Sequence, residues 1–379
     1  MLEATPDRIT AVVRKPSGAT GTLTTSANVS LSTDATPLVA AGLLHAMQSG
    51  SDLYLDGVVD RVALDNAQRA STLLASWFHS LRPAGVAAAS LSVAESPPDD
   101  RRGVACFFSG GMDSFYSALT RDEITHLVFV HGFDIALTDD ELAAKAGSAA
   151  REAAAAMGKV LIEVRTDLKD FAHDQGLIWG KHYHGAALGA VAQMLSPHIR
   201  KAIIPASYHV TGLHPWGSHP DLDPLWGSAR VAVEHHGEDA RRPQKAAVLA
   251  QHQVAMDHLR VCWLNPGGQY NCGRCEKCIR TMINLRIVGA GGRCKTLPDA
   301  LTPRDLRKLR GGEGSALFAK ENLAEMERRG IKDDAVERAL RAALRWSPAY
   351  QVRDRIMGRA VTTLKPAVSK VRRLTASRR

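Results

Sequence analysis

From Gly103 onward, short apolar runs alternate with longer stretches of helical periodicity, and this alternation leaves few folds open to the chain. Val104–Phe108 is apolar throughout, as a strand buried on both faces of a parallel sheet must be. Ser114–Leu119 then opens a helix, and Leu127–Val130 forms a second strand. Asp139–Met157 is an alanine-rich helix whose acidic start suits the positive end of its dipole. Val160–Val164 is a third strand, Tyr183–Leu195 a helix, Ala202–Pro205 a fourth strand, and Leu259–Trp263 reads as a fifth. The pattern predicts an α/β fold with a doubly wound parallel sheet, whose ligands collect at the carboxyl ends of the strands.

The segments on either side differ. Strand-like runs at Ile9–Val13, Asp52–Leu55 and Val86–Leu91, with helical patterns at Pro37–Met47 and Arg61–Leu81, predict a small α/β accessory unit over residues 1–100. The turn-rich Pro97-Pro98-Asp99-Asp100 reads as a linker into the unit at 101–300. Residues 301–379 read as a helical extension with a basic tail. Beyond Gln351 there are nine Lys/Arg against the single Asp354, so the tail carries most of the chain's net charge of +9. Such a block is either solvated or docked on an acidic surface, and nucleic acid is not favoured because no aromatic residues interleave with it. With 45% apolar residues the chain can bury a core, and no run reaches the roughly 18 apolar residues of a membrane span. The amino terminus lacks a secretion pattern, so a cytoplasmic protein is expected.

Ser109-Gly110-Gly111-Met112-Asp113-Ser114 lies between the first apolar strand and its helix. Paired glycines let the backbone turn tightly and approach a ligand, and the following helix offers free N–H groups and a positive dipole end to an anion. Ser109 and Ser114 supply hydroxyl donors, while Asp113 suits a phosphate only if Mg²⁺ bridges them. The loop lacks the Lys-Ser/Thr ending of the Walker type.

Four of the six cysteines fall close together, with Cys272, Cys275 and Cys278 three residues apart and Cys262 upstream. That spacing suits a tetrahedral Cys₄ zinc site, and three or four thiolates also suit an iron–sulfur cluster. Cys106 reads as a core residue, and Cys294 has no partner visible in the sequence.

The Ser-Gly-Gly-x-Asp-Ser pattern resembles the PP-loop of the N-type ATP pyrophosphatases, and all its fixed positions are present. The resemblance implies ATP and Mg²⁺ at Ser109, Gly110, Gly111, Asp113 and Ser114, adenylation of a substrate oxygen, and release of pyrophosphate. It places the adenine near His131 and Phe133, and gives Lys245 the phosphates, with Asp113 and Ser114 as its catalytic companions. Adding the C-x9-C-x2-C-x2-C pattern makes the 7-cyano-7-deazaguanine synthases the most similar members, over roughly residues 103–288. These imply zinc on Cys262, Cys272, Cys275 and Cys278 and transfer of nitrogen to an adenylated acceptor.

Leu213–Trp226, rich in Trp, His, Asp and Pro, is expected to form the acceptor site through Trp216, His219, Asp221 and Asp223. Compared with the synthases, this segment lacks a Cys and an Arg and gains Asp223, which implies a different acceptor, larger or less anionic. The alternatives are a tRNA- or protein-modifying PP-loop enzyme, including a thiolating one, and a nucleotide-binding module without turnover. The chain is expected to act as a homo-oligomer.

Overall fold

The computed structural model describes residues 2–14, 18–93, 100–310 and 315–345. The Pro97-Pro98-Asp99 part of the linker and the basic tail lie outside the described residues. In chain order the strands are β1 Leu2–Thr5, β2 Arg8–Arg14, β3 Thr20–Ala27, β4 Leu53–Asp60, β5 Val86–Ser92, β6 Gly103–Phe107, β7 His126–His131, β8 Val160–Thr166, β9 Ile199–Pro205 and β10 Ala232–His236. The helices over the same span are α1 Thr36–Ser49, α2 Arg61–Trp77, α3 Met112–Thr120, α4 Asp140–Ala156, α5 Leu168–Asp174 and α6 His184–Met194. They continue with α7 Arg242–Leu249, α8 Gln253–His258, α9 Glu276–Ile287, α10 Pro303–Leu306, α11 Ser315–Arg329 and α12 at 334–345.

Eight strands form one mixed sheet in the order β1-β2-β3-β8-β7-β6-β9-β10. The five strands from β8 to β10 are mutually parallel, and β3 adds to β8 antiparallel through Thr25↔Thr166 and its neighbours. Along β6 the side chains alternate between two cores. Ala105 and Phe107 face α1 and α6, while Val104 and Cys106, with Phe108 just beyond the strand, face α3, α4, α8 and α9. Helices on both faces are why β6 reads as an unbroken apolar run. Buried on every side, Cys106 has its thiol pushed up to about 12 and is a core residue, as expected.

Three features differ from the sequence reading. Leu259–Trp263 is not a strand; it runs across the carboxyl ends of the sheet, and its backbone bonds go to the loop after β6 and to Asn271. The fifth parallel strand is instead β10, which hides in the polar-looking Ala232–His236 and pairs with β9. The first three strands belong to the central sheet, and one continuous core joins Ile9, Leu23 and α1 to α6. Only β4 and β5, a parallel pair covered by α1 and α2, form a second sheet.

Sheet order fixes where a ligand can enter. From β6 the chain builds outward through β7 and β8 on one side and through β9 and β10 on the other. The crevice at the carboxyl ends of β6 and β9 is the point where that order reverses, and it is left uncovered by the crossover connections.

Candidate active site and metal centre

A cavity of about 240 Å³ opens at that crevice, floored by the ends of β6, β7 and β9 and walled by α6 and by the Arg260–Trp263 segment. Ser109, Gly111, Met112, Asp113 and Ser114 line it, so the glycine loop and the first turn of α3 face the ligand space directly. Gly110 sits at φ +75°, a conformation that a side chain would strain. The loop is braced from both sides. Ser109 Oγ accepts from the Gly111 N–H at 3.3 Å, Ser114 Oγ donates to Gly111 O at 3.0 Å, and the Arg260 N–H donates to Gly110 O at 2.7 Å.

Asp113 lies in the first turn of α3 and is held by two cations of α7: Arg242 Nη2 at 2.8 Å and Lys245 Nζ at 3.1 Å. Burial alone would raise its pKa, but the charges of Arg242, Lys245 and Lys277 outweigh that and keep the carboxyl below its usual range. Lys245 is only 1% exposed and also donates to Ala206 O at 2.7 Å. It therefore stands behind Asp113 and outside the cavity wall, contrary to a direct phosphate role. The cations that do line the cavity are Arg242, Arg260 and Lys277. Arg260 is 3% exposed, its Nη1 reaches Ser109 O at 3.4 Å, and its Nε and Nη2 are buried with no hydrogen-bond partner among the described residues. Buried guanidinium N–H groups left unpaired are costly, which makes the Arg260 fork a ready site for an anion.

Other sequence-selected residues fall elsewhere. Phe133 lines the cavity, but His131 does not: its ring nitrogens are engaged by Ala136 O at 2.9 Å and by Arg165 Nη1 at 2.7 Å. Trp216 packs behind the wall against Gly180 and His184. His219 is buried against Trp77, and Asp221 is exposed. Asp223 is fully buried, accepting from Ser218 Oγ at 2.6 Å and hydrogen-bonded to His235 Nδ1 at 2.7 Å. It ties the loop to β10, so its charge does not face the cavity and gives no reason to exclude an anionic acceptor. Sequence reading missed Arg242, Arg260, Lys277 and His184 because isolated cations and histidines carry no spacing signal. Arg260 lay in the segment misread as a strand.

The Sγ atoms of Cys262, Cys272, Cys275 and Cys278 all lie within 4.8 Å of one another. Cys262–Cys275 at 3.9 Å and Cys272–Cys278 at 4.0 Å are close to the roughly 3.8 Å edge of a tetrahedron with 2.3 Å metal–sulfur bonds. Backbone N–H groups point at the sulfurs: Asn265 to Cys262 at 3.3 Å, Cys275 to Cys272 at 3.2 Å, and Cys278 to Cys275 at 3.4 Å. The contact between the two thiols pulls Cys275 down to about 5, through the hydrogen bond from Cys278, and pushes Cys278 up. Four anionic sulfurs so close repel unless a cation joins them, so the donor set fits a metal. Gly273, at φ +66°, makes the turn possible, and a Cβ there would lie 2.4 Å from Pro298. The centre abuts the cavity, because Cys262 belongs to both.

No protein-family model, curated protein or solved structure matches this chain.

Proposed function

We propose that the chain is an ATP-using enzyme of the PP-loop type, binding Mg·ATP in the crevice above β6 and β9 and releasing AMP and pyrophosphate. The single observation that carries this reading is the braced Ser109–Ser114 loop, which turns its glycines and the first turn of α3 toward a cavity rimmed by Arg242, Arg260 and Lys277. Helix N–H groups and three cations suit polyphosphate, and the apolar wall from β7 and α6 suits a purine. Asp113 and Ser114 are the residues that would hold Mg²⁺, and Arg242 pairs with the same Asp113 carboxylate. Mg²⁺ would neutralise charge on the phosphates, and Arg260 would steady the pyrophosphate as it leaves.

In this reading the four cysteines would hold zinc, and Cys262, two residues on from Arg260, would help keep that segment against the loop. Asn271 supports the same segment, its side chain accepting from Val261 and Cys262 N–H at 2.9 and 3.0 Å. The acceptor would enter near the exposed Ser207, attack the α-phosphate through an oxygen and release pyrophosphate, and a nitrogen nucleophile would then displace AMP, the reaction that the paired loop and cysteine motifs favour.

Calorimetric titration with α,β-methylene-ATP and Mg²⁺ tests the site. The unaltered protein should bind, and Arg260→Gln should bind at least about tenfold more weakly, the effect of losing a charged hydrogen-bond donor. Absence of saturable binding to the unaltered protein would refute the proposal.

A further inference from the structure

The wall of the cavity facing α6 is apolar except at one point. Phe107, Val128 and Ile204 belong to the core on that face, and Phe133 and Trp179 meet there with ring centroids 4.8 Å apart. His184 and Leu188 both line the cavity, one helical turn apart on the same face of α6. A single turn of π-helix, Trp179–Tyr183, delivers the chain into α6, and such turns commonly re-aim a side chain at a functional site.

The ring of His184 is fixed. Its Nδ1 lies 3.0 Å from Gly180 O, and a carbonyl only accepts, so Nδ1 carries the hydrogen. Gly180 O is itself held by the Gly217 N–H at 3.2 Å, and Trp216 packs against Gly180 so closely that a Cβ there would lie 2.8 Å from its ring. Burial keeps the imidazole pKa below its usual value, so the ring is neutral near pH 7 and its Nε2 is a lone pair. No described residue is hydrogen-bonded to Nε2, which is not among the buried unpaired atoms, and His184 lines the cavity.

The geometry points to His184 as the residue that reads the nucleobase, its Nε2 accepting from the exocyclic amino group of adenine and rejecting a purine with a carbonyl at that position. The inference rests on the nucleotide reading above. A guanine or hypoxanthine would set its C6 oxygen against the Nε2 lone pair, acceptor facing acceptor. A site built to accept from one amino group discriminates strongly against a base that lacks it. The aromatic and aliphatic wall holds any purine, and His184 supplies the selectivity the wall lacks.

The test is titration of the full chain, without acceptor, with the Mg²⁺ complexes of ATP, ITP and purine riboside triphosphate, and with pyrophosphate. ATP should bind at least about tenfold more tightly than either analogue, the effect of one lost hydrogen bond. In His184→Ala the three nucleotides should become equivalent while pyrophosphate affinity is unchanged. Equal binding of ATP and ITP by the unaltered protein, or an unchanged ATP/ITP ratio in the variant, would overturn the inference. If His184→Ala does not fold, the purine riboside comparison decides on the unaltered protein alone: affinity equal to that of ATP overturns it. Failure of every nucleotide to bind would instead remove the nucleotide reading, and this inference with it.

Discussion

Asp113 shows how one side chain carries both structure and chemistry. Between Arg242 and Lys245 it balances two cations that the fold has largely removed from water. Asp113→Ala would leave the buried Lys245 ammonium without its carboxylate, with Ala206 O and the face of Tyr116 as remaining partners, and the loss should be about 3–5 kcal/mol, typical of breaking a buried pair. Chemical denaturation measures this directly. The pH dependence follows from the sign of the shift. Because the folded pKa lies below the unfolded one, the stabilisation is complete above the unfolded value of roughly 3.9 and fades as pH falls through the folded value. Asp113→Asn should therefore fall below the unaltered protein in melting temperature at pH 7, and the gap should close in strong acid. A gap that widens toward acid pH would contradict the assignment. Asp113 and the glycines were legible in the sequence because a turn before a helix has a fixed spacing; Arg260 was not, because its partners lie some 150 positions away along the chain.

At the scale of elements, two supports hold the cavity. Helix α11 reaches over α7 and α9 and places Phe318 between guanidinium groups, 3.9 Å from Arg280 and 5.2 Å from Arg242, with Tyr208 stacked on it at 6.1 Å. Phe318→Ala should cost about 3 kcal/mol in denaturation and loosen Arg242, so nucleotide affinity should fall as well. Stability that falls with affinity untouched would confine α11 to a packing role. The cysteine centre is the other support. Elemental analysis should find one zinc per chain, and Cys272→Ser or chelation should release it and lower the melting temperature. Iron with stoichiometric sulfide would replace zinc by a cluster. The cysteine spacing was readable because a Cys-x-x-Cys turn is local. Strand β10 was not, because His235 and His236 interrupt its apolar pattern, and their partners, Asp223 and Ser117, exist only in the folded chain.

Across the whole molecule, the strand–helix alternation from Gly103 predicted the parallel centre of the sheet because both faces of those strands are buried. It did not predict that β1, β2 and β3 extend the same sheet, since antiparallel addition of β3 to β8 joins segments well over 100 residues apart and leaves no periodic trace. The result is a central sheet whose order reverses beside the glycine loop, with cations, an apolar wall and a four-cysteine cluster that could hold a metal gathered at that point. No helix among the described residues is long and apolar enough to cross a membrane. The central claim is that this crevice splits ATP between its α and β phosphates. Incubating the purified protein with α-labelled ATP, Mg²⁺ and a pool of small metabolites, then separating the labelled nucleotides, tests it most directly. The account predicts labelled AMP with an equal amount of pyrophosphate, lost in Arg260→Gln; labelled ADP as the product would contradict it.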